Sequence, residues 1–153
     1  MTVRFRIIRE KKELTQQKMA DILGISKTNY NYFENEERFI PLKHLNNYCN
    51  EFNMSMDYIF YLTDINKTSK NNVNLNRKLV GKRIKQIRNI YGLTQQQLAD
   101  ILHTTQSTIC SYEKGDTLIL TSFLFEMCKR LNVSMDYITG RSNVIRVMKV
   151  NNN

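Results

Sequence analysis

The sequence predicts an all-α protein built as two tandem five-helix domains, and three observations carry that prediction. First, the chain repeats itself. Displaced by 79 positions, residues 1–63 align with residues 80–142 without a gap, and 21 of the 63 pairs are identical. Leu14-Thr-Gln-Gln-Lys-Met-Ala-Asp-Ile-Leu23 falls on Leu93-Thr-Gln-Gln-Gln-Leu-Ala-Asp-Ile-Leu102, and Ser55-Met-Asp-Tyr-Ile59 on Ser134-Met-Asp-Tyr-Ile138. A self-match of that length marks a duplication. Second, one Pro and five Gly supply too few chain reversals for a many-stranded β protein. Third, apolar residues in each copy recur three and four positions apart, the spacing of one helix face.

The repeat sets the domain organisation. The first domain spans 1–63 and the second 77–142; a polar linker, 64–76, joins them, and a basic, apolar tail, 143–153, follows. A copy of this size is near the lower limit for an independent core, which falls at roughly 40–60 residues. The linker is Asn-rich and aperiodic, and fully extended it reaches about 43 Å. No apolar run approaches the roughly 20 residues of a membrane span. Charged Arg4 and Arg6 stand where a secretory leader is apolar. The expectation is a cytoplasmic protein with no membrane partner. Formal charge is +9, which favours a polyanionic partner, because Lys and Arg on phosphates release condensed counterions. Cys49, Cys110 and Cys128 form no C-x-x-C pair and the two His are far apart, so no metal site and no cofactor are expected.

Five helices are expected in each copy. The first carries Phe5 and Ile8, or Ile84 and Ile87, on one face. The second opens at an N-capping Thr15 or Thr94. Gln97 completes a capping box with Thr94, and Lys18 breaks it in the first copy. Its apolar stripe is Met19, Ile22 and Leu23, or Leu98, Ile101 and Leu102. Small Ala20 and Ala99 leave room for a neighbouring helix. A tight turn follows at Gly24-Ile25 and at His103-Thr104; Gly24 suits positive φ better than His103 does. The third helix starts at the caps Ser26 and Thr105. The fourth runs over Leu42–Phe52 or Thr121–Leu131, and the fifth starts at Ser55 or Ser134.

Three motifs in register, the first complete in both copies and the other two complete in the second, resemble the Cro and phage-repressor helix-turn-helix family, also called the xenobiotic-response-element type. They are Leu-Thr-Gln-Gln-x-x-Ala-Asp-Ile-Leu, the capped third helix ending in Tyr112-Glu-Lys-Gly115, and Val-Ser-Met-Asp-Tyr-Ile. The resemblance covers most of the chain and implies lambda-repressor-like domains binding an operator in double-stranded DNA. It places the third helix in the major groove and the second across the backbone. Gln16 and Gln95, opening the second helix, are then phosphate contacts. Ser26, Lys27, Thr28, Asn31 and Tyr32 face DNA in the first copy; Thr105, Gln106, Ser107, Cys110 and Ser111 do so in the second. Gln106 has the side chain for a bidentate pair with adenine, and Lys27 for guanine O6 and N7. Asn35 and Lys114, just past the third helix, match backbone-contacting positions, while Tyr30 and Ile109 match its buried position. Arg9 with Glu34, and Arg88 with Glu113, match a family ion pair between the first and third helices. Loss of one buried partner costs about 3 kcal/mol.

Charge divides the copies: residues 1–63 carry nine basic and eight acidic side chains, residues 77–142 ten and five. Glu34, Glu36 and Glu37 bring negative charge to the DNA-facing end of the first copy, so the second is expected to supply most of the affinity. The alternative is a protein-interaction module, an antitoxin or antirepressor, whose first domain docks a protein. No nucleophile–base pair or phosphate-cradling Gly loop is present, so no enzymatic activity is expected, and no separate sensing domain is expected either. The β-branched tail Asn143-Val-Ile-Arg-Val-Met-Lys-Val150 is a candidate for self-association.

Overall fold

The computed structural model describes residues 2–68 and 70–146. The described residues fold into ten helices, five per copy, as the sequence predicts. In the first copy these are α1 Phe5–Lys11, α2 Gln16–Leu23, α3 Lys27–Glu34, α4 Leu42–Phe52 and α5 Met56–Ile59. In the second they are α6 Arg77–Ile90, α7 Gln95–Ile101, α8 Gln106–Lys114, α9 Thr121–Leu131 and α10 Met135–Ile138. No described helix is long and apolar enough to cross a membrane. No group of three or more His, Cys, Asp or Glu among the described residues is arranged to hold a metal ion.

Side-chain oxygens supply most of the helix starts. Thr15, Ser26 and Ser55 accept from the backbone N–H three residues on, as do Thr94, Thr105 and Ser134, and each satisfies one of the donors a helix leaves unpaired. The Thr94–Gln97 capping box forms in full. Gly24 closes α2 at φ 65° and His103 takes the same turn at φ 53°. The core collects most of the expected stripes: Phe5, Ile8, Met19, Leu23, Leu45 and Cys49 in one copy, and Ile84, Ile87, Leu98, Leu102, Leu124 and Cys128 in the other, while Ile22 and Ile101 are only half-buried. Tyr30 and Ile109 are both buried at their matched place on the third helix. Burial pushes the thiols of Cys49 and Cys128 well up, so both behave as small apolar fillers.

The two copies pack against each other through α5 and α10. Asp57 accepts from Ser134 Oγ at 2.5 Å and from Met135 N at 2.6 Å. Asp136 accepts from Ser55 Oγ at 2.5 Å and from Met56 N at 2.9 Å. Each carboxyl thus caps the first turn of the other copy's last helix. Beyond residues 63 and 142 the correspondence continues: Ile65 with Val144 and Lys67 with Arg146, each pair separated by 79 positions, line one cavity above these aspartates.

The linker is tied down and does not act as a free tether. Asn50 donates to the Val73 carbonyl at 3.0 Å and accepts from its N–H at 2.9 Å, and Asn46 donates to the same carbonyl at 2.7 Å. Its extended reach therefore does not set the domain spacing; the α5–α10 contact does. In the tail, the Ile145 carbonyl accepts from Ser134 N at 2.8 Å. The candidate self-association segment 143–150 falls half on residues 147–150, which lie outside the described residues.

Candidate nucleic-acid interface

The third helix of each copy is held from behind by a buried ion pair. Arg9 donates to Glu34 through Nε and Nη2, both at 2.8 Å, and the Glu34 side chain is 0% exposed. Arg88 does the same to Glu113, at 2.5 and 3.1 Å. Two parallel N–H donors fix a carboxylate in orientation as well as position. Burial alone would raise the Glu34 carboxyl, but the bonds from Arg9 and Gln16 outweigh it and hold the pKa below its ordinary value. Beside them, burial, reinforced by the charge on Glu34, pushes the Tyr30 phenol far up and keeps it neutral.

The same glutamates orient the leading glutamine of the second helix. Gln16 Nε2 donates to Glu34 at 3.2 Å, and Gln95 Nε2 donates to Glu113 at 2.8 Å. Each glutamine then turns its carbonyl to the third helix, but to different residues. Gln95 Oε1 accepts from Gln106 Nε2 at 2.7 Å, at the first residue of α8. Gln16 Oε1 accepts from Asn31 Nδ2 at 3.3 Å, one turn further along α3. Asn31 in turn accepts from Asn35 at 3.0 Å, and Arg6 Nη2 donates to Asn35 Oδ1 at 2.6 Å. Since a carboxamide has two N–H donors and two acceptor lone pairs, the exposed Gln106 keeps one donor and both lone pairs, and the half-buried Asn31 keeps one of each. That leftover pair matches adenine N7 and N6.

The remaining sequence-selected positions lie on this surface. Ser26, Lys27, Thr28, Asn35, Thr105, Gln106, Ser107 and Lys114 are exposed; Gln16, Asn31, Tyr32, Gln95, Cys110 and Ser111 are half-buried. Arg38 stacks over the Tyr32 ring at 4.3 Å, and Ser111 shares a hydrogen bond with Thr117 at 2.9 Å. Cys110 is half-buried on α8, less open than an exposed recognition-helix thiol would be.

Sequence reasoning missed the cations that first helices contribute to this face. Arg6 reaches α3 through Asn35. Lys78 Nζ donates to the Lys114 carbonyl at 2.8 Å, and Arg77 to that of Asp116 at 3.0 Å. The corner beyond α8 therefore carries Arg77, Lys78 and Lys114, where the corner beyond α3 carries Asn35, Glu36 and Glu37. The signal for Arg6 was available: its counterpart 79 positions on, Lys85, is also basic.

Two family models match this geometry: one described as a helix-turn-helix domain covers residues 2–65, and one described as helix-turn-helix covers residues 84–138. Among curated proteins, the chain is 30% identical over 67 residues to antitoxin PezA of Streptococcus pneumoniae, across 44% of this chain and 42% of that protein. It is 36% identical over 59 residues to a competence pilus inhibition repressor of Acinetobacter baylyi, across 39% and 54%. A third relative, the uncharacterized HTH-type transcriptional regulator YobD of Bacillus subtilis, is 36% identical over 61 residues, across 40% and 54%. The matches span about half the length of these relatives.

Proposed function

Since both halves of the chain belong to the helix-turn-helix family, we propose that it is a sequence-specific double-stranded DNA-binding transcriptional regulator, a repressor that occludes its operator. The observation that carries this reading is the relay Arg88–Glu113–Gln95–Gln106 and its counterpart Arg9–Glu34–Gln16–Asn31. Each fixes an amide on the third helix that still has an unused donor and acceptor. In this reading α3 and α8 enter major grooves, Gln106 and Asn31 read adenine, and Lys27 reads guanine. The free N–H of Gln16 and Gln95 meets phosphate at a helix N-terminus, where Asn35 and Lys114 add backbone contacts. Ser26, Thr28, Tyr32, Thr105, Ser107, Cys110 and Ser111 complete the surface. Charge favours the second copy as the main source of affinity, because Arg77, Lys78 and Lys114 attract the phosphates that Glu36 and Glu37 repel.

The test is fluorescence anisotropy on a duplex selected by the protein from a random pool. Gln106→Ala is expected to weaken binding by about 10- to 100-fold, the worth of one bidentate base contact, and Lys27→Ala by less. A larger loss at Lys27 overturns the ranking of the domains, and a pool without any enriched sequence overturns the DNA reading. A second reading, a protein-docking first domain, has two supports: the near-neutral charge of residues 1–63 and the likeness to an antitoxin. A stoichiometric protein complex that survives Lys27→Ala and Asn31→Ala, without sequence-selective DNA binding, would favour it.

A further inference from the structure

The reciprocal caps at α5 and α10 have a symmetry that bears on the DNA. Asp57 meets the serine at position 134, which is Ser55 displaced by one repeat, while Asp136, which is Asp57 displaced by one repeat, meets Ser55. When residue i of one unit touches j of the other and j touches i, the contact is isologous and the units are related by a two-fold rotation. A head-to-tail tandem shows one of these contacts without the other. The cavity above the caps has the same symmetry, lined by Thr63 with Ser142, Ile65 with Val144, and Lys67 with Arg146.

The flanks of this contact break the symmetry in a directed way. On one side Phe125 lies 5.3 Å from Phe60 and 6.3 Å from Phe39 between ring centroids. On the other, the position matched to Phe125 is Asn46, and it receives buried Arg141 at 3.2 Å, with Asn50 receiving the same nitrogen at 2.6 Å. Pairing the second domain with itself would set Arg141 against Phe125 and Lys129. Pairing the first with itself would set Phe60 and Leu62 against Asn46. Each mismatch leaves a buried polar or charged group without its partner, which selects for the unlike pair. The tied linker supplies that pair within one chain.

We infer that one chain is a single-molecule pseudo-dimer whose operator is an inverted repeat of two unlike half-sites. This rests on the DNA reading above. A two-fold axis between α5 and α10 runs α3 and α8 in opposite senses along a duplex, and a duplex has matching two-fold axes perpendicular to its length, so the half-sites are inverted and not direct. They are unlike because the relay glutamine serves Gln106 on α8 but Asn31, one turn later, on α3.

The experiment uses the full chain. Duplexes are selected from a random pool, and the two half-sites are then rebuilt in inverted and direct arrangements at every spacing over one helical turn. Affinity is read by anisotropy and stoichiometry by light scattering. The expected result is one chain per duplex, with the best direct repeat about 100-fold weaker than the inverted one, since only one domain then engages at a time. Four flexible residues inserted at 70–71 leave the preferred spacing unchanged. Tighter binding to a direct repeat, two chains on identical half-sites, or a preferred spacing that moves with the insertion overturns the arrangement and leaves the DNA reading standing. Failure of any sequence to enrich removes both.

Discussion

Arg9 and Glu34 show how much one buried pair decides. With Glu34 shut away from solvent, Arg9→Met removes its two short parallel donors and leaves the carboxylate to the Gln16 amide at 3.2 Å and to the more exposed Arg6, whose Nε lies 3.4 Å away. The expected loss is about 3–5 kcal/mol, measured by urea unfolding. The pair also sets an acid limit. The Glu34 carboxyl is held below its ordinary value, so the folded state binds its proton less readily than the unfolded chain does. The resulting stabilisation is complete above the unfolded value of about 4.3 and is lost as pH falls through the lower folded value. Glu34→Gln should flatten that acid limb in unfolding curves taken from pH 6 downward; an unchanged slope would show that Glu34 does not set it. The relay above the pair makes a further distinction. Gln95→Ala frees Gln106 and takes one donor from Glu113, which keeps both donors of Arg88, so it should weaken operator binding while lowering the urea stability by only about 1 kcal/mol.

At the scale of the element, turns and close approaches separate what the sequence made legible from what it did not. The α2–α3 turn needs a left-handed residue, Gly24 in one copy and His103 in the other. A side chain in that region costs about 1–2 kcal/mol, part of which a glycine gives back as unfolded-chain freedom. His103→Gly is therefore expected to stabilise the protein by about 0.5–1 kcal/mol, seen as a higher melting temperature. Gly81 is the opposite case. A Cβ there would stand 2.7 Å from the Glu113 carbonyl oxygen and closer still to that of Tyr112. Alanine, normally the better helix residue, should here cost about 1–3 kcal/mol and weaken DNA binding by displacing α8. The α4 and α9 bounds and the helix starts were legible because side-chain caps and apolar spacing are local. Glycines in one copy mark left-handed positions in the other, as Gly115 does for Glu36 and Gly92 for Glu13. The surface positions of the third helix were legible for the same reason, since spacing on a helix dictates which residues share a face. The Gln16–Asn31 bond was not, because it depends on how far two helices stand apart. The tying of Val73 to Asn46 and Asn50 was equally hidden, because a polar, aperiodic stretch reads the same whether it is bound or free.

For the whole molecule the decisive group is Asp57, which belongs to neither copy alone. Burial, followed by the charge and hydrogen bond of Asp136, pushes its carboxyl well above the ordinary value. Asp57 thus keeps its proton where it caps the other domain beside Asp136, which Arg141 Nε faces at 3.7 Å. The folded state holds that proton where the unfolded chain has released it. Stability contributed at this site is accordingly full below the unfolded value of about 3.9 and declines as pH rises toward the folded one. This runs opposite to Glu34, so the two groups together place the maximum of their summed contribution near the unfolded carboxyl values, about pH 4. Asp57→Asn mimics the protonated form: its carbonyl still accepts from Met135 N, and its amide donates to Asp136. The variant should gain stability at pH 8 relative to the parent and lose the alkaline decline, with operator affinity retained. Asp57→Ala removes the cap and leaves Ser134 Oγ and Met135 N buried without an acceptor, at a cost of about 1–3 kcal/mol for each group. If Asp57→Asn instead behaves like Asp57→Ala at pH 8, with the same loss of stability in urea, the proton on Asp57 is not what joins the domains.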